Sequence, residues 1–170
     1  AHGKLGALSI SGLALFWGLA ALAYRWAAVR GPSRVLVFAG CLALAEWVRG
    51  HVFTGFPWNL PGETWAAGGA ISQTAALVGS YGLSWITIAV AASAALVLDS
   101  TPRRGRAIGL GLAVATLAGL FGFGAMRLAT VPQEAAAAPL IRVVQANIDQ
   151  KDKWKPENLD LIVDTYVSLS

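Results

Sequence analysis

Uncharged apolar runs are the feature that most constrains what this chain can fold into. Residues 5–24 contain 20 consecutive uncharged positions, residues 74–98 contain 25, and residues 107–126 contain 20. A helix of about 20 residues rises about 30 Å, which is the thickness of the hydrocarbon core of a bilayer. Each run is therefore predicted to cross a membrane as an α-helix.

A fourth, shorter run extends the same pattern. Residues 35–45 are uncharged, and apolar character continues past Glu46 to Val48, just before Arg49. This run predicts a helix whose far end is polar. The predicted membrane spans are about 5–24, 33–49, 74–98 and 107–128.

The amount and position of charge exclude other protein classes. Charged residues make up 13% of the chain, about half of the ~25% in an average soluble domain. The formal net charge is +4, but the arginines lie between the apolar runs, which indicates helix orientation rather than nucleic-acid binding. Loops 25–34 and 99–106 carry three arginines each, whereas 50–73 carries none. The first two are predicted to be cytoplasmic, and 50–73 and the chain after about 130 periplasmic.

Residues 50–73 form a segment that is too apolar for a solvated loop and too rich in glycine and proline for a spanning helix. We expect an interfacial or re-entrant segment, because aromatic residues favour the headgroup region. Two interpretations remain open. The segment is either an aromatic anchor or a wall that holds acyl chains, through Phe53, Phe56, Trp58 and Trp65.

The chain changes character after about residue 130. Residues 131–139 are predicted to be a linker, 140–148 a β-strand, and 149–155 a charged loop. Pro156 suits the first turn of a helix, which apolar positions at helical spacing continue to Leu169. This strand–loop–helix unit is too short to bury a core alone. Because the chain also lacks an initiator Met, we expect it to be part of a longer protein.

Several polar residues are candidates for chemistry. Glu46 and Arg49 share a helix face and form either a structural ion pair or a site where Arg49 contacts a lipid phosphate. A polar stripe on the third span is predicted to make inter-helix hydrogen bonds; its members are Gln73, Thr74, Ser80, Tyr81, Ser84 and Thr87. The loop with Lys151, Lys153, Trp154 and Lys155 is either solvated or a lipid contact.

Other signals are missing from the sequence. Cys41 lies in an apolar run without a base nearby, so we interpret it as a packing residue. His2 and His51 have no partners that would make a metal site. No nucleophile–base pair can be assembled, so we assign no catalytic residue, no metal and no cofactor to these residues.

Three sequence blocks together resemble a known family. EWVRGHVFTGFPWNLPG begins at Glu46, QTAALVGSYGLSW at Gln73, and IRVVQANIDQKDKWKPENLD at Ile141. In this order and spacing they are similar to bacterial apolipoprotein N-acyltransferases, and the resemblance covers residues 5–170. It implies a polytopic α-helical membrane protein, with four spans here, followed by the first strand and helix of an α/β nitrilase-like domain.

The resemblance also implies an activity. Members of the family are bacterial inner-membrane enzymes that move an acyl chain from a phospholipid to the N-terminal diacylglyceryl-cysteine of an apolipoprotein. The reaction passes through a thioester on a catalytic cysteine, helped by a Glu base and a Lys. All three are expected beyond Ser170, so the implied nucleophile is not Cys41. The implied partners are the phospholipid, the diacylated apolipoprotein and the bilayer, without nucleic acid.

Individual positions match the family motifs. Arg49, Trp58 and Trp154 are implied to bind substrate. The remaining matches are implied to be structural: Glu46, Gly55, Pro57, Gln145 and Asn147. Ala146 and Asp149 depart mildly from the pattern, where many members have Gly and Pro. The open alternatives are another membrane-tethered nitrilase-like acyltransferase or amidase, and a non-enzymatic polytopic membrane protein.

Overall fold

The structure is a computed structural model that describes residues 2–52, 55, 57–98, 100–130, 142–149 and 151–169. For residues 2–11 it describes the helical backbone only. Phe53 and Phe56 lie outside the described residues, as does the predicted linker 131–139. The chain divides into two compact units, Ala1–Val131 and Pro132–Ser170.

The first unit is built from helices. The bounds of its elements are α1 His2–Ala27, α2 Arg34–His51, α3 Ala75–Ser93 and α4 Arg103–Ala129, with short 3₁₀ turns at Pro61–Thr64, Ile71–Thr74 and Ala94–Val97. Helix α1 packs on α2, and α2 packs on α3. The turn Pro61–Thr64 lies against α3, and the turn Ile71–Thr74 lies against α4. The sequence predicted each of these four helices within a few residues of its observed ends.

The surface of this unit is largely apolar. Among its described side chains only a few are fully buried, including Ala39, Leu83 and Leu96. Large apolar side chains are exposed along every helix, for example Trp26 on α1, Leu44 on α2 and Phe121 on α4. Contiguous exposed apolar surface of this kind is rare on soluble monomers and is the normal outer surface of a protein in lipid.

Among the residues that the structure describes, two helical segments are long and apolar enough to cross a membrane, Ile71–Val97 and Arg103–Ala129. Only 11% and 6% of the residues in their most apolar windows are buried, which distinguishes them from the core helices of a soluble domain. Helix α2 carries Arg34, Glu46 and Arg49 within its 18 residues and is correspondingly less apolar.

The predicted uninterrupted span 74–98 is corrected by the structure. Gly79 has φ +69° and ψ 176°, so two helical pieces meet at a kink there. The run also begins and ends in 3₁₀ turns instead of continuous α-helix. The physical reason is that glycine lacks a Cβ and adopts positive φ without the steric cost that other residues bear.

The second unit contains a helix in the region predicted to be helical, and its described residues contain no strand. The turn Pro156–Asn158 leads into α5, Leu159–Leu169. The predicted strand 140–148 has no regular structure over its described residues 142–148, and Asn147 has φ +49°. A β-strand needs ladder hydrogen bonds to a neighbouring strand, and no described residue of the unit forms one. Residues 140 and 141 lie outside the described residues.

Candidate functional site

The best-defined polar site of the first unit lies in the last turns of α2. Glu46 and Arg49 are three residues apart, so their side chains leave the same face of the helix. They form an ion pair in which Arg49 Nε donates to Glu46 Oε2 over 3.0 Å and Nη2 donates to the same oxygen. Each residue is only 4% exposed. A buried charge is tolerated only when it is paired and hydrogen-bonded, and this pair meets both conditions.

Helix α1 completes the pair with a tryptophan. Trp17 Nε1 donates a hydrogen bond to Glu46 Oε1 over 2.6 Å. The Arg49 guanidinium lies 5.8 Å from the centroid of the Trp17 ring, within the range of a cation–π interaction. Both carboxylate oxygens therefore have donors, and the cluster joins α1 to α2. The sequence analysis missed Trp17, although an indole N–H in an apolar run needs a partner.

Arg49 also fixes the segment that follows α2. Its Nη2 donates to the backbone carbonyl of Trp58 over 2.8 Å. The Trp58 indole itself is 63% exposed. The structure therefore brings together two of the three predicted substrate-binding residues, but through the backbone of Trp58 and not through its ring. Of the two interpretations of Glu46 and Arg49, the geometry matches the structural ion pair.

Glycines allow the chain to turn sharply between Arg49 and Trp58. Gly55 has φ +78°, and a Cβ there would collide with the carbonyl of Gly50. A Cβ on Gly50 would collide with the Tyr81 hydroxyl and lie 3.3 Å from Pro57 Cβ. Gly55 and Pro57, which the motif implied to be structural, both lie close to Gly50 in the last turn of α2, and Gly50 in turn packs on Tyr81 of α3.

The next part of the segment is anchored on α3 by hydrogen bonds. Gly62 N–H donates to Ser84 Oγ over 2.9 Å, and Trp65 Nε1 donates to Thr87 Oγ1 over 2.8 Å. A Cβ on Gly62 would lie 2.7 Å from the Ser84 nitrogen, so the turn contacts the helix backbone directly.

The hydroxyl groups of Ser84 and Thr87, which accept these two bonds, also donate one bond each. Ser84 Oγ donates to Ser80 O over 2.7 Å, and Thr87 Oγ1 donates to Leu83 O over 2.8 Å. The prediction of inter-helix bonds from this stripe is wrong for Ser84 and Thr87, because their partners are the 60–65 segment and their own helix. Gln73 differs: its Oε1 accepts from Arg127 Nε of α4 over 3.2 Å.

Aromatic rings cover the end of α2 on its exposed side. Trp47 stacks on His51 with ring centroids 4.4 Å apart, and His51 lies 5.7 Å from the ring of Tyr81. His51 Nδ1 is 2.7 Å from the Trp47 carbonyl and donates to it, since a carbonyl only accepts. His51 therefore has a packing role in this arrangement.

The second unit carries the third predicted substrate-binding residue. Trp154 is 77% exposed, with Lys153 Nζ 5.8 Å from its ring centroid. The flanking lysines are in ion pairs, Lys151 with Asp149 at 3.1 Å and Lys155 with Asp152 at 2.7 Å. Gln145 and Asn147, matched to the first-strand motif, are both exposed.

These arrangements can bind and position molecules, but they supply no bond-making groups. Cys41 is half-buried in α2. Among the described residues, no group of three His, Cys, Asp or Glu side chains is placed to hold a metal ion. The site is therefore a frame, built from the buried ion pair, that holds the backbone of an exposed tryptophan.

Comparison with known proteins gives one consistent family. Residues 2–93 match the family model described as the apolipoprotein N-acyltransferase N-terminal domain. Proteins named apolipoprotein N-acyltransferase match from Caulobacter vibrioides, with 53% identity over 99% of this chain and 32% of the relative, and from Brucella melitensis, with 38% identity over 93% and 30%. The protein of that name from Bradyrhizobium diazoefficiens is 37% identical over 83% of this chain and 26% of its own length.

The chain spans between 26% and 32% of the length of these three relatives. No solved structure matches it. The family model covers more than half of the chain, and it includes α1, α2 and the whole Glu46–Arg49–Trp58 frame. The chain therefore belongs to the apolipoprotein N-acyltransferase family.

Proposed function

We propose that this chain is a segment of a membrane enzyme that transfers an acyl chain from a phospholipid to the N-terminal diacylglyceryl-cysteine of a lipoprotein. Family membership and the apolar outer surface of the helical unit support this proposal. In the reaction that the resemblance implies, the acyl carbon leaves a glycerol oxygen of the phospholipid for a cysteine sulfur. The α-amino nitrogen of the lipoprotein then takes the acyl group and releases the thiol.

The proposed topology has four spans in a bacterial inner membrane, formed by α1, α2, the kinked segment Ile71–Val97 and α4. The arginines of loops 25–34 and 99–106 favour a cytoplasmic location for these loops. The segment 50–73 and the chain after about 130 are then periplasmic. In this proposal residues 131–139 form a linker, and 140–170 begin a nitrilase-like domain that gains its core from further chain.

The hydrogen-bonded frame around Arg49 is the observation that supports a role in substrate binding for this part of the chain. Arg49 bonds to Glu46 and to the Trp58 carbonyl, so its role is to position the segment. The Trp58 indole, which is exposed on a unit whose surface is largely apolar, is the group that binds an acyl chain of the substrate. Trp154 is the corresponding exposed tryptophan of the second unit and contributes to substrate binding there.

The activity is tested with the protein at its natural length in phospholipid vesicles. A synthetic diacylated lipopeptide with a free N-terminal amine is added, and its mass is followed. The expected result is a mass increase of one acyl chain, which disappears when the lipopeptide amine is acetylated. Absence of acylation at every phospholipid composition contradicts the proposal. The 170 residues alone are expected to transfer nothing, because no nucleophile is assigned among them.

The topology is tested with two engineered cysteines at exposed positions, Thr64→Cys and Ser33→Cys. Cells with a permeabilised outer membrane are treated with a membrane-impermeant maleimide, and the unsubstituted protein gives the background. Position 64 is expected to be labelled in intact inner membranes, and position 33 only after the inner membrane is broken. Equal labelling of both positions in intact membranes contradicts the topology.

A further inference from the structure

A second site lies at the opposite end of α2, away from the Arg49 frame. The beginning of α2, the end of α3 and the beginning of α4 enclose a cavity of about 260 Å³. Its walls are mostly apolar, and include Leu36, Trp85, Leu96, Ile108 and Leu112. Leu36 and Arg49 are 13 residues apart on one helix, which is about 20 Å at 1.5 Å per residue. The cavity is therefore separate from the Arg49 frame and the Trp58 segment that it holds.

Two arginine-rich segments meet at the rim of this cavity. A Cβ on Gly105 would lie 3.0 Å from Pro32 Cγ, so the start of α4 packs on the α1–α2 loop. Pro32 itself lines the cavity. Arg34 opens α2, next to the lining residues Ser33 and Val35.

Helix geometry aligns Arg104 with the cavity. Arg104 precedes the lining residue Ile108 by four positions, and Leu112 follows four positions later. Residues at this spacing lie on one helix face, so Arg104 stands at the cationic end of an apolar stripe. Arg30 and Arg103, which flank the same contact, are exposed.

We propose that this groove binds an anionic phospholipid, with one acyl chain in the cavity and the headgroup phosphate on the arginine rim. The proposal rests on the membrane topology above but not on the acyl-transfer reaction. A cavity of about 260 Å³ is smaller than the ~300–1,000 Å³ of pockets that enclose a whole drug-sized ligand. It therefore suits part of an acyl chain, while the polar headgroup stays outside at the membrane surface.

Charge decides which phospholipid the groove selects. Loops 25–34 and 99–106 carry six arginines and one acidic residue, Asp99. An anionic lipid near such a rim gains about 1 kcal/mol, or about five-fold in affinity, for each arginine that it engages. A zwitterionic lipid brings its own positive charge to the rim and loses that advantage. The occupant is thus an anionic phospholipid such as phosphatidylglycerol.

The test uses Trp85, which lines the cavity, as a fluorescent reporter. The protein at its natural length is reconstituted in phosphatidylcholine vesicles that contain an equal small fraction of either brominated phosphatidylglycerol or brominated phosphatidylcholine. Bromine quenches tryptophan on contact, and Trp85→Phe identifies the part of the signal that comes from Trp85. The expected result is an apparent affinity at least about five-fold higher for the anionic lipid.

Two pairs of variants separate the headgroup from the acyl chain. Arg104→Gln is expected to lose the preference by about five-fold, whereas Arg127→Gln, at the other end of α4, keeps it. Ala89→Phe fills the cavity, and it lowers quenching by both brominated lipids. Its control is Ala91→Phe, an exposed position on the same helix, which leaves quenching unchanged.

The outcomes distinguish this site from the proposed function. Equal quenching of Trp85 by the two brominated lipids means annular lipid only and overturns the lipid site alone. A preference that Arg104→Gln leaves undiminished also overturns it. Failure of the protein to insert into vesicles contradicts the membrane topology and the lipid site together. No lipopeptide is present in this assay, so a failed acyl-transfer assay leaves the quenching result standing.

Discussion

The two ends of α2 use arginine in opposite ways. At the end that leads into the 50–73 segment, Arg49 is buried, paired with Glu46 and bonded to the Trp58 carbonyl. Near the beginning of the helix, the exposed Arg30, Arg103 and Arg104 flank the contact between two loops at the rim of an apolar cavity. A buried arginine must have partners supplied by the fold, so its contribution is structural. Exposed arginines contribute little to stability and are available to external anions.

The largest effect is expected from breaking the buried pair on one side only. Arg49→Met leaves the Glu46 carboxylate buried without its cation, and removal of one partner of a buried pair costs about 3–5 kcal/mol. Thermal unfolding of the purified protein in detergent is the measurement. Arg25→Met, at the exposed end of α1, is the control and is expected to change stability by less than about 0.5 kcal/mol.

A double variant tests whether the loss of stability in Arg49→Met comes from the unpaired buried charge of Glu46. Glu46→Gln combined with Arg49→Met removes both charges but keeps an acceptor for Trp17 Nε1. The Trp58 carbonyl loses its partner equally in the single and the double variant, so that term cancels. We expect the double variant to be more stable than Arg49→Met alone. If it is less stable, the ion pair is not the reason for the loss.

The next effect concerns the link between α1 and this pair. Trp17→Phe keeps an aromatic ring but removes the N–H that donates to Glu46 Oε1. Hydrogen bonds to charged groups contribute about 1.5–3 kcal/mol, so a loss of stability in that range is expected. Trp26→Phe on the same helix is the matched control, since Trp26 is exposed. Equal melting temperatures for the two variants would contradict the role of Trp17.

A smaller effect separates substrate binding from folding at Trp58. Trp58→Ala removes an exposed indole and leaves the backbone bond to Arg49 intact, so the expected change in stability is below about 0.5 kcal/mol. Acyl transfer by the natural-length protein is expected to fall about ten-fold, equivalent to about 1.4 kcal/mol. Trp26→Ala controls for loss of an exposed tryptophan. Parallel losses of activity and melting temperature would favour the aromatic-anchor interpretation instead.

The sequence predicted the helices well because their signal is local. Uncharged runs of spanning length need no tertiary partner to be recognised, and α1, α3 and α4 each match one, whereas α2 matches the shorter run 35–45. The Glu46–Arg49 pair was also accessible, because spacing of three on a helix fixes a shared face. The kink at Gly79 was not, since a glycine inside a helix is tolerated more often than it breaks one.

The rest of the site depends on contacts between distant residues. Trp17 and Glu46 are 29 residues apart, and Trp65 and Thr87 are 22 apart. No periodicity in the sequence links such positions, so the partner of each indole N–H could not be predicted. The predicted strand at 140–148 had a local sequence signal but depends on a distant partner. Its β-branched composition is local, but a strand forms only when a neighbour pairs with it.

The smallest change in stability is expected for the exposed arginines at the start of α4, and the sign of that change is informative. Helix α4 opens with Arg103, Arg104 and Arg106 and has no acidic residue in its first turn. A cation near a helix N-terminus opposes the helix dipole by about 0.3–1 kcal/mol at low ionic strength. Arg103→Gln is therefore expected to leave stability unchanged or raise it by up to about 0.5 kcal/mol, as read from thermal unfolding at low salt. A destabilisation above about 1 kcal/mol would show that this arginine supports the fold as Arg49 does. A gain would mean that the arginine is kept against a local cost in stability, which fits roles in helix orientation and in binding an anionic headgroup.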